Sequence, residues 1–379
     1  MPGAAFARLR QGGGVGLPTW VRLEANWMNS FFGARPATAL ACGLLVALLR
    51  SSRATPADPP QAEITNGQLR AKLYLPDARN GFYRGTRFDW SGVIGSLIYK
   101  QHEYYAPWFD GVDPQTHDYR YQGSEIIAST CSAMTGPAEE FQSHGAALGW
   151  DEAKPGGTFI KIGVGVLRKD DGKYDFVKQY EMVDPGKWTV VRHRDSVEFT
   201  QELTDPSSGY GYNYHKTVRL MAGKPEMVLE HRLQNTGRRA IESAVYNHNF
   251  LVLDREPIGP DFVITFPFQI QSPSPPDHNL AEIRGNQFLY LKLLQNEDRV
   301  ECPLEGFGTS PKDNDIRIEN PKIGAGVRMI GDHPLSHVNL WSIRTVLAVE
   351  PFISMRIDPG GEFAWRVSYE YYTVAPGPK

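Results

Sequence analysis

The chain of 379 residues has few of the features that mark specialised protein classes. It contains three cysteines, and no Cys/His cluster has the spacing of a zinc site. The net charge is only −3, and there is no long basic run, so neither nucleic acid nor an anionic membrane surface is expected as a partner. No glycine-rich nucleotide-binding motif occurs, so no cofactor is expected. Apolar content of 41% and charged content of 22% are those of a soluble globular protein.

Long hydrophobic runs are also scarce, and the main one lies near the N-terminus. Residues 37–49 are mostly apolar, but this run is too short to span a bilayer comfortably. Arg35 precedes the run, and small residues with prolines follow it, which is the layout of a secretory signal peptide cleaved after Ala57 or Ala62. Residues 1–62 are therefore predicted to be an N-terminal extension with a signal peptide. The mature protein is predicted to be periplasmic or secreted, without a stable membrane span. The alternative is an uncleaved anchor helix.

Whether the cysteines can form a disulfide depends on this export. Cys42 would leave with the signal peptide, whereas Cys131 and Cys302 would remain. An exported compartment permits a disulfide between them. The sequence leaves open whether their Cα atoms lie within bonding reach.

Short extended segments recur from residue 63 onward. They are rich in Val, Ile, Thr, Tyr and Phe and are separated by Gly, Pro, Asn and Asp. The predicted segments are 64–74, 92–99, 158–167, 188–203, 214–222, 227–233, 241–253, 262–269, 287–294, 324–330, 338–349 and 363–373. A dozen or more strands without a long amphipathic helix predict one large, antiparallel, all-β sandwich over residues 63–379. The Pro/Ser-rich stretch 271–280 is predicted to be a surface loop, and residues 102–150 are predicted to be irregular.

Residues 229–250 are typical of two strands joined by a turn at Asn235-Thr-Gly237, where Gly237 is free to take a positive φ. The second strand presents His248 between two asparagines. A histidine in a polar pocket at a strand end is a good proton donor or acceptor near neutral pH. Asn247 and Asn249 are expected to face away from His248, because side chains alternate along a strand.

A single glutamate, Glu350, interrupts the apolar run from Val346 to Ile353. A carboxylate at such a position is costly unless it is paired or faces a cleft. One interpretation is a structural ion pair with a nearby arginine such as Arg344 or Arg356. The other is a catalytic base in a cleft.

Both segments resemble those of a known family. The pattern of strand, Asn-Thr-Gly, strand and Asn-His-Asn-Phe resembles the general-acid segment of the aldose 1-epimerases (galactose mutarotases) and their superfamily. Leu347-Ala-Val-Glu-Pro, followed by Pro359-Gly-Gly-Glu362 and a closing strand, resembles their catalytic-glutamate segment. The resemblance covers roughly residues 63–376. It implies a β-supersandwich whose concave sheet face holds a sugar, with His248 as general acid and Glu350 as general base.

The resemblance also suggests substrate-binding residues. His144 precedes Gly145 as in a family His-Gly-Gly segment, although Ala146 replaces the second glycine. The family's substrate arginine has no clear counterpart, and Arg87, or else Arg84, is the candidate here. Asp261 is the candidate for the family's substrate aspartate. Each of these has an ordinary alternative as a surface or turn residue.

These observations predict an exported aldose 1-epimerase-like enzyme acting on a free sugar or the reducing end of an oligosaccharide. A non-catalytic carbohydrate-binding protein is one alternative, and a sugar lyase or isomerase on the same scaffold is another. The aromatic residues within 102–150 would either stack on sugar rings or form a satellite hydrophobic cluster. The oligomeric state stays open.

Overall fold

The computed structural model describes residues 58–375, and β-strands form nearly all of its regular structure. One 3₁₀ helix, Pro311–Asp313, is present. The strands are, in chain order, β1 (Gln61–Thr65), β2 (Leu69–Tyr74), β3 (Val93–Tyr99), β4 (His102–Tyr105), β5 (Gly111–Val112), β6 (Tyr119–Gln122), β7 (Glu125–Ala128), β8 (Gly136–Gln142), β9 (Thr158–Lys161), β10 (Gly165–Arg168), β11 (Met182–Asp184), β12 (Lys187–Arg192), β13 (Ser196–Asp205), β14 (Tyr210–Leu220), β15 (Glu226–Asn235), β16 (Ile241–Phe250), β17 (Val263–Thr265), β18 (Ala281–Arg284), β19 (Gln287–Tyr290), β20 (Arg299–Leu304), β21 (Asp315–Asn320), β22 (Ala325–Gly331), β23 (His337–Ile343), β24 (Val346–Ile357) and β25 (Glu362–Thr373).

The strands form five sheets. The largest has ten strands in the order β12-β13-β14-β15-β25-β22-β21-β17-β19-β18, and the next has the order β20-β23-β24-β16-β8. Three smaller sheets are β1-β2-β3-β4, β11-β10-β9 and β5-β7-β6. Within residues 58–375, β5 and β7 are the only named strands that pair in parallel. The predicted all-β, antiparallel class is confirmed.

Burial patterns separate the two large sheets. Along β14, buried and half-buried residues alternate, as expected for a strand with one face on the core and the other toward water. The second half of β16 and the first half of β24 are buried at every position. One face of these strands packs on the core, and the other lines a cavity. The five-stranded sheet is therefore the element that positions the site.

Residues 102–150 differ from the prediction. This stretch is not irregular, because it contains the five strands β4 to β8, and β8 pairs with β16 in the five-stranded sheet. Its aromatic residues belong to the three hydrophobic clusters, as core residues or packed against them. Of the aromatic residues in this stretch, Trp108 also lines the cavity. Strands β4 to β7 were missed because they have only two to four residues each, and β8 was missed because its partner, β16, lies far away in sequence.

Four predicted segments are hairpins instead of single strands. Residues 64–74, 158–167, 188–203 and 338–349 each hold two strands that pair with one another. Asn66-Gly67 was a usable hairpin signal, whereas the turn at Arg344-Thr345 has no glycine, proline, asparagine or aspartate to mark it. Gly237 does not use its freedom to take a positive φ. A Cβ at Gly237 would lie 2.6 Å from the backbone nitrogen of Gly211, so close approach of two chain segments, and not backbone conformation, calls for glycine there.

The N-terminal part of the described structure begins before residue 63. Strand β1 starts at Gln61, and the Pro60 carbonyl accepts a hydrogen bond from the Leu75 amide at 2.8 Å. The apolar run at 37–49 lies outside the described residues. No helix within residues 58–375 is long and apolar enough to cross a membrane.

Both remaining cysteines are buried and free, so no disulfide joins them. The Cys131 sulfur lies 3.2 Å from Gln179 Oε1, and the Cys302 sulfur lies 3.4 Å from Ser272 Oγ. Each thiol therefore contacts a different polar side chain.

Candidate active site

One face of the five-stranded sheet brings three polar side chains into a row. Asn339 on β23 lies opposite Glu350 on β24. The register of β16 with β24 pairs Tyr246 with Phe352, and it places His248 opposite Glu350. Because residues directly opposite on one face have neighbouring side chains, Asn339, Glu350 and His248 lie side by side across three strands.

This row forms part of the floor of a cavity of about 350 Å³. The other floor residues come from alternate positions on the same sheet, and the walls come from the loops that precede β3, β5, β6, β8 and β11. The lining residues are Gln142, Tyr246, His248, Phe250, Arg299, Glu301, Pro303, His337, Asn339, Trp341, Glu350 and Phe352 from the sheet, and Arg87, Trp108, Asp118, Ser132 and Phe176 from the loops.

His248 and Glu350 are in direct contact. His248 Nε2 lies 3.0 Å from Glu350 Oε1, and the two side chains are 5% and 8% exposed. Asn339 Nδ2 donates to the other carboxylate oxygen, Glu350 Oε2, at 3.1 Å. The His248 ring stacks on Phe250 with ring centroids 3.8 Å apart. Packing and hydrogen bonds thus fix both groups before any ligand binds.

The surroundings keep Glu350 ionised. Burial raises its pKa, but the facing His248 imidazole, the Asn339 amide and the Arg87 guanidinium outweigh burial and lower the pKa below its ordinary value. Glu350 is therefore a carboxylate at neutral pH, the form that accepts a proton. His248 Nδ1 is buried without a hydrogen-bond partner among residues 58–375.

A second buried carboxylate anchors one wall of the cavity. Glu140 accepts hydrogen bonds from Arg87 Nε at 2.8 Å, Lys161 Nζ at 2.9 Å and Tyr246 Oη at 2.6 Å. Burial raises the pKa of Glu140, but Lys161 and Arg87 together lower it to about 2. Arg87 also donates from Nη2 to Tyr246 Oη at 3.2 Å. This network holds the Arg87 guanidinium at the cavity with part of its donor capacity unused.

Two aromatic rings enclose the same guanidinium. The Arg87 Cζ atom lies 4.4 Å from the ring centroid of Phe88 and 4.5 Å from that of Phe176. Such stacking orients the planar group. Phe176 is 45% exposed at the cavity wall, so one flat apolar face remains open to a ligand.

The asparagines beside His248 face the opposite side of the sheet, as alternation predicted. Asn247 Nδ2 donates to Glu139 Oε1 at 2.9 Å, and Asn249 Nδ2 donates to the Val349 carbonyl at 2.7 Å. Tyr369 on the ten-stranded sheet donates to Asn249 Oδ1 at 2.8 Å. Both asparagines are therefore buried cross-links within the sandwich.

Two predicted site residues lie elsewhere. His144 is 72% exposed in a turn, and its Nε2 atom lies 3.6 Å from Glu242 Oε2. Asp261 pairs with Lys322 at 3.4 Å and is also partly exposed. Neither lines the cavity, so the structure does not bring His144 or Asp261 to His248 and Glu350, although it does bring Arg87. Local sequence matches could not fix where these two loops lie.

The arginines that were considered as ion-pair partners of Glu350 contact other groups. Arg344 donates to the carbonyls of Asn296 and Ser124, and Arg356 pairs with Glu242 and Asp358. Neither arginine therefore pairs with Glu350. Arg84, the other candidate for the substrate arginine, is exposed and donates to the carbonyl of Arg79.

Several residues of the site were not predicted. Asn339 was hidden because segment 338–349 was interpreted as one strand. A tight turn at Arg344-Thr345 would have placed Asn339 opposite Glu350. Tyr246 lies two residues before His248 and shares its face, so alternation was a usable signal. Glu140 carried no local signal, because its cationic partners are distant in sequence.

Across 58–375, no group of three or more His, Cys, Asp or Glu side chains is arranged to hold a metal ion. What the cavity offers is an imidazole, a carboxylate, an amide and a guanidinium, and these suit proton transfer and hydrogen bonding to a polyhydroxylated ligand.

Comparison with known proteins gives structural matches only. No protein-family model matches the sequence, and no curated protein is similar to it. Among solved structures, the Slr1438 protein of Synechocystis sp. PCC 6803 matches with a TM-score of 0.50 and 13% identity, covering 84% of this chain and 98% of that chain. A galactose mutarotase-like protein of Lactobacillus casei matches with a TM-score of 0.46 and 14% identity, covering 82% and 100%. An aldose epimerase homologue from C. elegans matches with a TM-score of 0.44 and 12% identity, covering 83% and 99%.

These similarities concern the fold. Structures described as galactose mutarotase-like and as an aldose epimerase homologue are among the matches, and this is the family whose motifs the sequence resembles. At 13% identity a shared architecture carries no statement about activity.

Proposed function

We propose that this protein is an aldose 1-epimerase-like isomerase that interconverts sugar anomers by opening and reclosing the ring. The observation that carries the proposal is the contact between His248 Nε2 and Glu350 Oε1, at 3.0 Å, on the floor of the cavity. A purely structural ion pair would have no need to line a cavity.

Anomer exchange needs two proton transfers, at the two oxygen atoms that are bonded to C1. A base removes the proton of the anomeric hydroxyl, and an acid protonates the ring oxygen, so that the bond between C1 and the ring oxygen breaks. Both oxygens are bonded to C1, so the acid and the base must be neighbours. Glu350, ionised at neutral pH, is the proposed base, and His248 is the proposed acid. Rotation about C1–C2 and reclosure, with the transfers reversed, give the other anomer.

The surrounding groups suit an uncharged sugar. Asn339 holds the Glu350 carboxylate, and Arg87 presents donors for sugar hydroxyls. Asp118, which accepts a hydrogen bond from Ser132 Oγ at 2.7 Å, supplies an acceptor at the wall. Arg87 and Arg299 are each paired with a glutamate, so the described residues of the cavity lack the cluster of free cations that a sugar phosphate would require.

The test is anomer exchange measured by NMR with freshly dissolved aldoses. Glu350→Gln and His248→Asn should each lower the exchange rate roughly 100-fold or more, because positioned acids and bases contribute about 10²–10⁴-fold. The double variant should be little worse than the poorer single variant, because the two groups act in one cycle. Sugar binding should survive in part, since the cavity walls are unchanged.

The chain offers a matched control. His144 and Glu242 form a second His–Glu contact, at 3.6 Å, away from the cavity. His144→Asn and Glu242→Gln should leave exchange within twofold of the wild-type rate. If the wild-type protein binds sugars but exchanges anomers no faster than buffer does, the epimerase proposal is rejected in favour of a carbohydrate-binding protein or a different reaction.

We also propose that the chain is exported. The basic, apolar and small-residue layout of residues 35–57 supports this. Because β1 begins at Gln61, cleavage after Ala57 would leave the sheet intact, whereas cleavage after Ala62 would remove two residues of β1. Mass spectrometry of protein from the native host should find an N-terminus between residues 54 and 61. Intact protein beginning at Met1 in the cytoplasm would contradict export.

A further inference from the structure

We propose that the cavity holds a second sugar ring on strands β23 and β20, so that the preferred substrate is the reducing end of an oligosaccharide. This inference rests on the proposed anomer exchange and names its substrate class. The reducing ring would lie over His248 and Glu350, and the next ring would lie toward β20.

The floor of the cavity is wider than a single sugar ring. Strand β20 contributes Arg299, Glu301 and Pro303 to the cavity, although it lies two strands away from Glu350 on β24. With strands about 4.8 Å apart, this distance is about 10 Å. One six-membered ring with its hydroxyls is only roughly 6 Å across, given bond lengths near 1.5 Å. The floor beyond Glu350 is therefore longer than one sugar ring requires.

The two ends of the cavity differ in how a longer sugar could pass them. On the β8 side, the buried Arg87 guanidinium lies at the cavity wall, where Glu140 and Tyr246 fix its position. On the other side, β20 is an edge strand, and its Arg299 and Glu301 side chains are exposed. A chain of sugars linked through the ring atoms remote from C1 is therefore expected to leave the site across β23 and β20.

The side chains at the β20 end of the cavity suit a neutral sugar. Arg299 and Glu301 form an ion pair with one another, so the surface has hydrogen-bond donors and acceptors but little net charge. His337 packs against Phe352 with ring centroids 5.1 Å apart. Pro303 adds an apolar patch between them. Such a surface suits the hydroxyls and ring face of a neutral sugar better than it suits an anionic one.

The test compares anomer exchange of glucose, maltose and cellobiose by NMR. For the wild-type protein, kcat/KM should be at least tenfold higher for one of the disaccharides than for glucose. In the double variant Arg299→Ala/Glu301→Ala, that ratio should fall to near one. The matched control is Glu282→Ala/Arg284→Ala, which removes an equivalent glutamate–arginine pair from β18, outside the cavity, and should keep the ratio.

A binding experiment separates this inference from the proposed function. Trp108 and Trp341 line the cavity, so their fluorescence should report sugar binding. If no sugar is exchanged but a disaccharide binds at least tenfold more tightly than glucose, anomer exchange is wrong and the second ring site stands. If glucose and both disaccharides are exchanged or bound equally well, or if the β20 variant keeps the disaccharide preference, the second ring site is rejected.

Discussion

At the scale of single residues, the site depends on the protonation state of Glu350. Its pKa is lowered although burial acts in the other direction, because His248, Asn339 and Arg87 all favour the carboxylate. A base must be deprotonated to act, so on the acid side of the pH profile the proposed activity is lost as the pH falls through this lowered pKa. The neighbours of Glu350 thus set the lower end of the pH range.

A substitution of Asn339 tests the lowered pKa of Glu350 and leaves the Glu350 carboxylate in place. Asn339→Ala deletes the hydrogen bond to Glu350 Oε2, so the pKa of Glu350 should rise and the acid limb of the pH–rate profile should move to higher pH. At pH 7 the rate should fall by less than about tenfold, because the acid and the base both remain. The profile of kcat/KM against pH measures both effects.

The control for this variant is Asn286→Ala. Asn286 donates to the Phe266 carbonyl far from the cavity, so its loss should affect stability without moving the acid limb. An unchanged limb in Asn339→Ala would mean that the hydrogen bond does not tune Glu350.

At the scale of elements, the site needs three neighbouring strands in register. A shift by one residue between β16 and β24 would turn His248 to the core face, because side chains alternate along a strand. The buried asparagines on the far face resist such a slip, since Asn247 and Asn249 are bonded to Glu139 and to the Val349 carbonyl. The register is therefore specified from both faces of the sheet.

The first strand, β1, is the element whose removal is most easily tested. It pairs with β2 over its whole length and buries Ile64, which is 1% exposed. A chain starting at Asp58 should unfold in one cooperative transition, whereas a chain starting at Asn66 should lose roughly 2–5 kcal/mol, as expected for loss of a buried aliphatic side chain. Urea denaturation followed by circular dichroism measures the difference.

A chain starting at Glu63 provides an intermediate case, because it keeps Ile64 but loses the pairing of Gln61 and Ala62. Its stability should fall between those of the other two. Equal midpoints for the chains starting at Asp58 and Asn66 would show that β1 contributes nothing to the fold.

At the scale of the whole molecule, buried carboxylates on neighbouring residues of β8 join separate parts of the sandwich. Glu140 binds Lys161 and Arg87 on the cavity side, and Glu139 binds Lys216 and His231 on the core side. Burial raises the pKa of both glutamates, but the cations outweigh it, lowering that of Glu140 to about 2 and that of Glu139 in the same direction.

Acid should therefore unfold this protein steeply. A carboxylate with a lowered pKa stabilises the fold at pH values above its ordinary pKa, and this stabilisation is lost as the pH falls through the folded-state value. For Glu140 the window runs from about pH 4.5 down to about pH 2. Thermal melts should show a constant Tm between pH 5 and pH 7 and a steep fall across this window.

Glu140→Gln should lower stability at pH 7 by roughly 3–5 kcal/mol, because Lys161 and Arg87 lose their buried partner, and it should flatten the pH dependence below pH 4.5. Glu202→Gln, at an exposed pair with Lys187, is the control and should have little effect. A shallow acid transition in the wild-type protein would contradict the assigned ionisation.

The sequence by itself determined the fold class and the two central residues of the site. Strand alternation and turn residues act over a few positions, so they revealed the β architecture and the strands that carry His248 and Glu350. An isolated glutamate in an apolar strand and a histidine between asparagines are likewise local signals. Even there the sequence predicted only the identity of the two groups, and their contact depends on the register of β16 against β24.

Tertiary structure alone decided the rest. Asn339 and Arg87 reach the cavity while His144 and Asp261 do not, because loop placement is set by packing between segments far apart in sequence. Strand β8 was missed for the same reason. Its two adjacent glutamates are buried, and only the folded chain supplies the lysines and the arginine that make their burial tolerable.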